Sequence, residues 1–444
     1  MSLLDQLFLD TLRDMQWRSS GELAAYQARL LERVVRHAAT QAPFYSDRLR
    51  NVFWGGDVAY GSFRPEAWSD VPILSRREAA AGSASLYARE TPVAASASVD
   101  RVSTGASGVV LVHKLSAFSA IASICARNRM WEAHDVDLFT SCAQIAVAPD
   151  YEALPPFGAK LDNWNLTGRL HHGRLMDRCV SIANQWDWLK RLRPTYIFAP
   201  TDIVEGIVEA ADGDSEGLTF GAIFTRGADV DQELRARASE RFSCSIIDSY
   251  DLTEAGVLAC ECPAGGYHVQ SEVALVEVLN PEGRHAAPGE RGRVLATPLY
   301  QYAMPLIRYD TGDEAIVGEP CICGRAALKL TKIFGRKRRL FAFAGGEKIS
   351  GTRLARAGQV LGALRVGLCQ TGYRALEIVY EGGNESKENE AIALIASAFD
   401  IDGLVVGARR SEFAGRSYPD DAYVPMKNGD QPEAAAIAAS AISS

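Results

Sequence analysis

Leu23, Tyr26, Leu30, Leu31, Val34 and Val35 recur at helical spacing between residues 21 and 39. This spacing predicts an amphipathic helix with one apolar face, ending before Pro43. Residues 1 to 16 mix Asp and Arg into an amphipathic pattern, and Ser75 is placed to cap a helix that begins at Arg76. Further helices are predicted over the Ala- and Ile-rich stretch 115–133 and over 233–242. Short apolar runs alternate with them: Ile145-Ala146-Val147-Ala148, Tyr196-Ile197-Phe198-Ala199 closed by Pro200, Ala222-Ile223-Phe224-Thr225 and Cys244-Ser245-Ile246-Ile247. Runs of this length bounded by turn residues read as buried strands, so the rhythm is that of an α/β fold. After about residue 340 the chain becomes more polar. Residues 364–368 and 375–380 predict hairpin strands, 386–399 a helix, 404–407 a strand and 433–444 a frayed helix or tail.

With 444 residues, the length prior is about two to three domains, enough for a cleft between them. Lys and Arg number 47 against 55 Asp and Glu, a net charge of -8 without a long block of one sign. Neither a nucleic-acid stripe nor a polybasic membrane patch is suggested, which leaves a small molecule as the expected partner. No apolar run approaches the ~18 residues of a membrane span, and the first residues do not resemble a signal peptide, so a cytoplasmic location is expected. Nine cysteines, an odd count, argue for free thiols or a metal site over a disulfide framework. His171-His172 reads as surface, because adjacent side chains diverge in either regular structure.

Candidate chemistry gathers in three stretches. Ser249-Tyr250-Asp251-Leu252-Thr253-Glu254 follows a strand directly. Its ring can cover a base, its hydroxyl can donate to a phosphate and its carboxylate can hold Mg²⁺. Ser103-Thr104-Gly105-Ala106-Ser107-Gly108 offers two glycines for close backbone approach and three hydroxyls to surround phosphate oxygens, although a plain linker has the same composition. Met304-Pro305-Leu306-Ile307 leads into Arg308-Tyr309-Asp310-Thr311-Gly312-Asp313. The cysteines add a fourth stretch, with Cys262-Pro263-Ala264-Gly265-Gly266-Tyr267-His268 preceding Cys321-Ile322-Cys323.

In this order the stretches resemble the motifs of the adenylate-forming superfamily, which comprises acyl- and aryl-CoA synthetases, adenylation domains and luciferases. Residues 42–45 and 71–78 resemble the N-terminal part of phenylacetate-CoA ligases in particular. The resemblance implies a large N-terminal domain, residues 1–335, of mixed sheets layered with helices, and a small mobile α+β C-terminal lid, residues 336–444. It implies that Tyr250 covers adenine with Gly227, Asp248 and Ser249 nearby, that Thr253 contacts the α-phosphate and that Glu254 ligates Mg²⁺. Ser103, Thr104, Gly105, Ser107 and Gly108 correspond to the phosphate loop, with Ala106 in place of a hydroxyl and Val109-Val110 in place of Lys-Pro. Asp313 would accept hydrogen bonds from the ribose, with Arg308 and Arg336 as further nucleotide contacts and Arg338 at the hinge. Asp251 stands where the family has glycine, which questions the loop geometry. Cys262, His268, Cys321 and Cys323 resemble segments that hold a structural zinc in some relatives; three thiolates and an imidazole form a closed tetrahedral set. Cys260 is the alternative ligand, and reduced buried cysteines are the plain reading.

The implied reaction uses ATP to convert a small, expectedly aromatic carboxylic acid into an acyl-adenylate. Pyrophosphate and later AMP are released, and CoA is the expected acceptor. Two alternatives stay open: transfer to a non-CoA nucleophile, and nucleotide binding without catalysis. The second is raised by the altered phosphate loop and by the C-terminal loop, where Pro425-Met426-Lys427-Asn428-Gly429-Asp430 puts Asp430 at the family's lysine position and leaves Lys427 as the candidate catalytic cation. A second copy of the chain is a further candidate partner.

Overall fold

A computed structural model describes residues 3–92, 98–103, 108–148, 153–161, 164–165, 173–212, 217–227, 229–335, 341–343, 348–349, 354–397, 399, 401–411 and 423–424. Thr104, Gly105, Ser107, His171, His172, Arg336, Arg338, Lys427 and the 433–444 tail therefore lie outside the described residues.

The apolar runs become the middle of a sheet of twelve strands among the described residues. Ser245–Leu252, Ala222–Arg226, Tyr196–Pro200, Cys142–Ala146 and Gly173–Asp177 pair in parallel, in that spatial order. Alternation explains why these strands are apolar almost throughout. Ile197, Ala199, Ile223 and Ile246 join a core with Trp186, Trp188, Leu234 and Phe242. Their neighbours Tyr196, Phe198, Ala222, Phe224 and Ile247 face the opposite way, into a core with Trp131, Val34 and Val35. Successive side chains point to opposite faces, and here both faces are covered. Helices Ile182–Leu192, Thr201–Asp212 and Gln232–Phe242 supply the first cover, while Ser20–Gln41 and Ala117–Ala133 contribute to the second.

Local signals set the helix starts. Ser19 accepts from the Glu22 N–H at 3.3 Å and Glu22 accepts from the Ser19 N–H at 3.0 Å, a capping box that starts Ser20–Gln41. Ser75 and Glu78 repeat the device for Arg76–Ala81, as the sequence predicts. Three elements differ from expectation. The strand expected at 145–148 is Cys142–Ala146, because its parallel partners pair from Cys142 onward and Val147 is exposed. The strand expected to stop at Ile247 continues to Leu252, because Gly256–Glu261 folds back and pairs with it. The helix expected over 386–399 is Glu388–Ala396, entered through a tight turn at Glu385–Lys387.

Beyond residue 350, Val405–Arg410, Ala375–Gly382, Ala363–Gly372 and Tyr423–Val424 form a four-stranded sheet. Its strands, with helices Leu354–Leu361 and Glu388–Ala396, surround a core of Phe341, Leu354, Leu368, Ile378, Tyr380 and Ile395. Among the described residues, two backbone hydrogen bonds join this unit to the larger one: the Val366 N–H donates to the Gly108 carbonyl at 2.8 Å and the Val110 N–H to the Leu364 carbonyl at 3.0 Å.

Arg129 holds the back of the large sheet together. Its guanidinium donates to Glu272, to the Gln270 side chain and to the Leu12 carbonyl, with Arg129 and Glu272 side chains only 7% and 1% exposed. Removing one member of such a pair strands the other charge in a dry site, so Arg129→Met is expected to destabilise the protein by about 3–5 kcal/mol, read from urea unfolding midpoints.

Candidate active site

The segment before Arg76 is fastened to the sheet as an extra strand turn. The Leu74 N–H donates to the Arg308 carbonyl at 3.0 Å and the Asp310 N–H to the Leu74 carbonyl at 2.9 Å. Arg308, with φ 49, directs its guanidinium inward, where it pairs with Glu277 at 3.1 Å and donates to the carbonyls of Ser69 at 2.8 Å and Val71 at 2.7 Å. The sequence reading placed Arg308 among the nucleotide contacts. In the structure it is a buried clamp, and its effect is to set the path of residues 69–74.

That path delivers Arg76 to Glu254. One Arg76 nitrogen lies 2.6 Å from Glu254 Oε1 and 3.0 Å from the Tyr309 hydroxyl, which itself donates to Oε1 at 2.9 Å. Arg76 also donates to the Ser103 carbonyl at 2.7 Å, to the Ser103 hydroxyl at 2.8 Å and to the Val109 carbonyl at 3.0 Å. The Ser103 hydroxyl lies 3.2 Å from Glu254 Oε2. Members of all three candidate motifs, Ser103, Glu254 and Tyr309, thus meet on one guanidinium. Burial opposes ionisation of Glu254, but Arg76 and the neighbouring His113 hold its pKa below the ordinary carboxylate value. Burial also lowers the His113 pKa, so this ring, with Nε2 at 3.1 Å from the Thr253 carbonyl, is neutral at pH 7.

The other predicted residues fall along the same edge. The Tyr250 hydroxyl donates to Asp313 Oδ2 at 2.7 Å, so the residues expected on adenine and on ribose are in direct contact. Asp248 accepts from the Tyr267 hydroxyl at 2.7 Å, while its Oδ1 is buried without a hydrogen-bond partner, and burial pushes its pKa well up. Ser249 is buried and donates to the Thr225 carbonyl at 3.4 Å; Thr253 is exposed. Gly227 has φ 92, a conformation that suits glycine, with open space where a Cβ would stand. Gly108, with φ 71, is also required to be glycine by its packing: a Cβ would lie 2.5 Å from the Val366 carbonyl oxygen. Asp251 does not need the glycine conformation of the family motif, because residues 250–251 form a bulge in an ordinary strand.

On the far side of the sheet hairpin, ligand atoms of Cys262, His268, Cys321 and Cys323 all lie within 4.8 Å of one another. His268 Nδ1 is 3.2 Å from the Ala327 carbonyl, which selects the tautomer that leaves Nε2 free to face the thiols. Cys260 is buried in the core that includes Trp131 and is not a member of this set. Sequence reasoning passed over Arg76, Tyr309 and His113. Tyr309 lies inside its motif; Arg76 reads locally only as the first residue of a capped helix, and nothing local marks its long-range partner.

Comparison with known proteins adds the class. No protein-family model matches the chain. A solved 2-hydroxyisobutyryl-CoA ligase, in complex with 2-HIB-AMP and CoA, superposes with a TM-score of 0.60 at 16% identity, covering 97% of this chain and 94% of that one. The same ligase in its postadenylation state gives 0.58 at 17% identity over 97% and 94%. The chain therefore has the fold of an adenylate-forming CoA ligase. In sequence it is partly homologous to phenylacetate-coenzyme A ligases: 32% identical over 111 residues to that of Thermus thermophilus, and 30% identical over 118 residues to that of Escherichia coli. These matches span 25% and 27% of the relatives' own lengths. Among the described residues no helix is long and apolar enough to cross a membrane.

Because its folded pKa is depressed below the ordinary glutamate value of 4.5, Glu254 contributes stability that is complete above that pH and is lost as pH falls through the lower folded value. At pH 7, Glu254→Gln is expected to cost about 3–5 kcal/mol by stranding Arg76. Urea titrations at descending pH are expected to show the gap between wild type and variant narrowing once pH drops below about 4.5.

Proposed function

We propose that the protein activates a small carboxylic acid with ATP and transfers the acyl group to CoA. The observation that carries this reading is the meeting of Ser103, Glu254 and Tyr309 on Arg76, with Tyr250 against Asp313 alongside, on the fold of adenylate-forming ligases. In this reading Tyr250, Gly227, Asp248 and Ser249 form the adenine side of the site and Asp313 takes the ribose. Thr253, Ser103, Thr104, Gly105, Ser107 and Gly108 face the phosphates. A carboxylate oxygen of the acid attacks the α-phosphorus and pyrophosphate leaves; the CoA sulfur then attacks the acyl carbon and AMP leaves. Glu254 is the carboxylate that would hold Mg²⁺, and a lone carboxylate suits an ion bound largely through phosphate oxygens and water. The division at 335/336 into a binding domain and a lid carrying Arg336 and Lys427 belongs to the same reading. An aryl acid is the expectation that similarity to phenylacetate-coenzyme A ligases supports.

The acceptor and the catalytic step are tested together. Acid-dependent pyrophosphate release is expected over a panel of carboxylic acids, followed by CoA-dependent loss of the adenylate. Release that proceeds to product with hydroxylamine or an alcohol but never with CoA would move the function to a different acceptor. AMP binding without release for any acid would favour the nucleotide-binding reading that Asp430 and Val109-Val110 raise.

Cys262, His268, Cys321 and Cys323 fit a structural zinc: three sulfurs and one imidazole nitrogen, mutually close, with the imidazole oriented from behind by Ala327. Bound there, zinc would tie residues 262–268 to the 321–323 loop and add folding energy. Purified protein is expected to carry about one zinc per chain and to melt at lower temperature after chelation, as read by elemental analysis and calorimetry. Metal-free protein with an unchanged melting temperature would remove the assignment.

A further inference from the structure

Five parallel strands end on one edge of the sheet. In open α/β sheets ligands bind outside the carboxyl ends of the strands, where successive connections diverge. Here the chain runs from Cys142–Ala146 outward to Gly173–Asp177, then returns to Tyr196–Pro200 and proceeds the other way, so the divergence lies between the paired strands 142–146 and 196–200. That edge carries charge. Asp251 Oδ2 accepts from Arg127 at 2.8 and 3.2 Å and lies 3.6 Å from the Arg226 guanidinium. Asp251 Oδ1 is buried without a hydrogen-bond partner, and the side chain is only 6% exposed. Arg178 and Asp202 form their own buried pair at 2.9 Å. The Arg226 guanidinium stands 5.0 Å from the centre of the Phe198 ring, with 33% of its side chain still exposed.

Among the described residues, the guanidiniums of Arg127, Arg178 and Arg226 face two carboxylates, Asp202 and Asp251. Arg178 is matched by Asp202, while Arg127 and Arg226 share one carboxylate, and Arg127 holds the shorter contacts. Arg226 is left with a contact at 3.6 Å, too long for a normal hydrogen bond. Burial, with Arg127 and Arg178 nearby, pushes its pKa down to about 10, so it is still a cation at neutral pH. An apolar acid seated here would desolvate that cation without pairing it, which is costly. A carboxylate would fill the guanidinium fork. Asp251 immediately follows Tyr250 and precedes Thr253 and Glu254 by two and three residues, so this charged cluster adjoins the place where the acid would react.

Resting on the proposed adenylation, we propose that the activated acid carries a second anionic group at the end away from its reacting carboxyl, and that Arg226 selects it. Phe198 flanks the bound chain, and Arg127 and Asp251 position Arg226.

The test uses the full chain and two skeletons, glutarate with its monoamide glutaramate, and 4-carboxyphenylacetate with its 4-carbamoyl, 4-hydroxy and unsubstituted counterparts. Each is measured for pyrophosphate release with ATP and for calorimetric binding in the presence of AMP. In at least one skeleton the dianion is expected to be preferred over every neutral counterpart by at least about tenfold, the scale of one hydrogen bond to a charged group. Arg226→Leu is expected to reduce that ratio by at least about tenfold. Equal or better use of the neutral acids, a preference for the hydroxyl, or a preference that survives Arg226→Leu would overturn the inference. The wild-type comparison decides it even where the variant does not fold. Dianion-selective binding without pyrophosphate release would sink the adenylation reading and leave the Arg226 assignment standing, release without selectivity would do the reverse, and neither binding nor release would sink both.

Discussion

Arg76 and Glu254 meet at 2.6 Å with side chains 12% and 6% exposed, and the candidate site is assembled around that contact. Burying two charges is unfavourable unless their remaining donors and acceptors are satisfied. Tyr309, the Ser103 hydroxyl and the carbonyls of Ser103 and Val109 satisfy them. Four segments far apart in sequence are thereby fixed relative to one another. The clamp at Arg308 lies one layer behind, holding residues 69–74 so that Arg76 emerges at the right place.

A cation facing Glu254 also bears on nucleotide chemistry. The carboxylate that would hold a metal already faces a positive charge, so metal and guanidinium are alternatives for its oxygens. A cation brought by the nucleotide would compete with Arg76 for Glu254, while the Ser103 and Val109 carbonyls would still hold the Arg76 guanidinium in place. Ser103, between the two, can serve either arrangement because a hydroxyl both donates and accepts.

Much of the frame was legible in the sequence because it is written locally. Apolar runs between turn residues gave the central strands, Ser75 gave a helix with its cap, and the 21–39 stripe gave a helix without its Ser19 cap. The strand through Tyr250 was legible only as far as Ile247, since its continuation depends on a hairpin partner. For the site, residues that a motif marks were visible, Tyr250 with Glu254 and, in the second motif, Asp313, while Tyr309 lay in that motif without a role. Arg76, Arg127 and Arg226 were not, because a lone arginine carries no local pattern and acquires meaning only from a partner more than a hundred residues away, or, for Arg226, from the strand beside it. Arg308 shows the converse: a residue inside the most specific motif of the chain whose guanidinium faces Glu277 and the 69–71 backbone.

Among the described residues, two backbone hydrogen bonds tie residues 108–110, at the end of the candidate phosphate loop, to 364–366 of the C-terminal sheet. Each is worth about 0.5–1.5 kcal/mol net, so the loop and the C-terminal unit are linked equilibria. A ligand that draws Gly108 away from Val366 loosens the smaller sheet's hold on the larger one, and displacing the smaller sheet alters the loop's affinity by the same factor. Coupling between what sits on residues 108–110 and where the C-terminal unit rests runs through this seam, to which the two hydrogen bonds add about 1–3 kcal/mol beside the packing of Val110 in the smaller core.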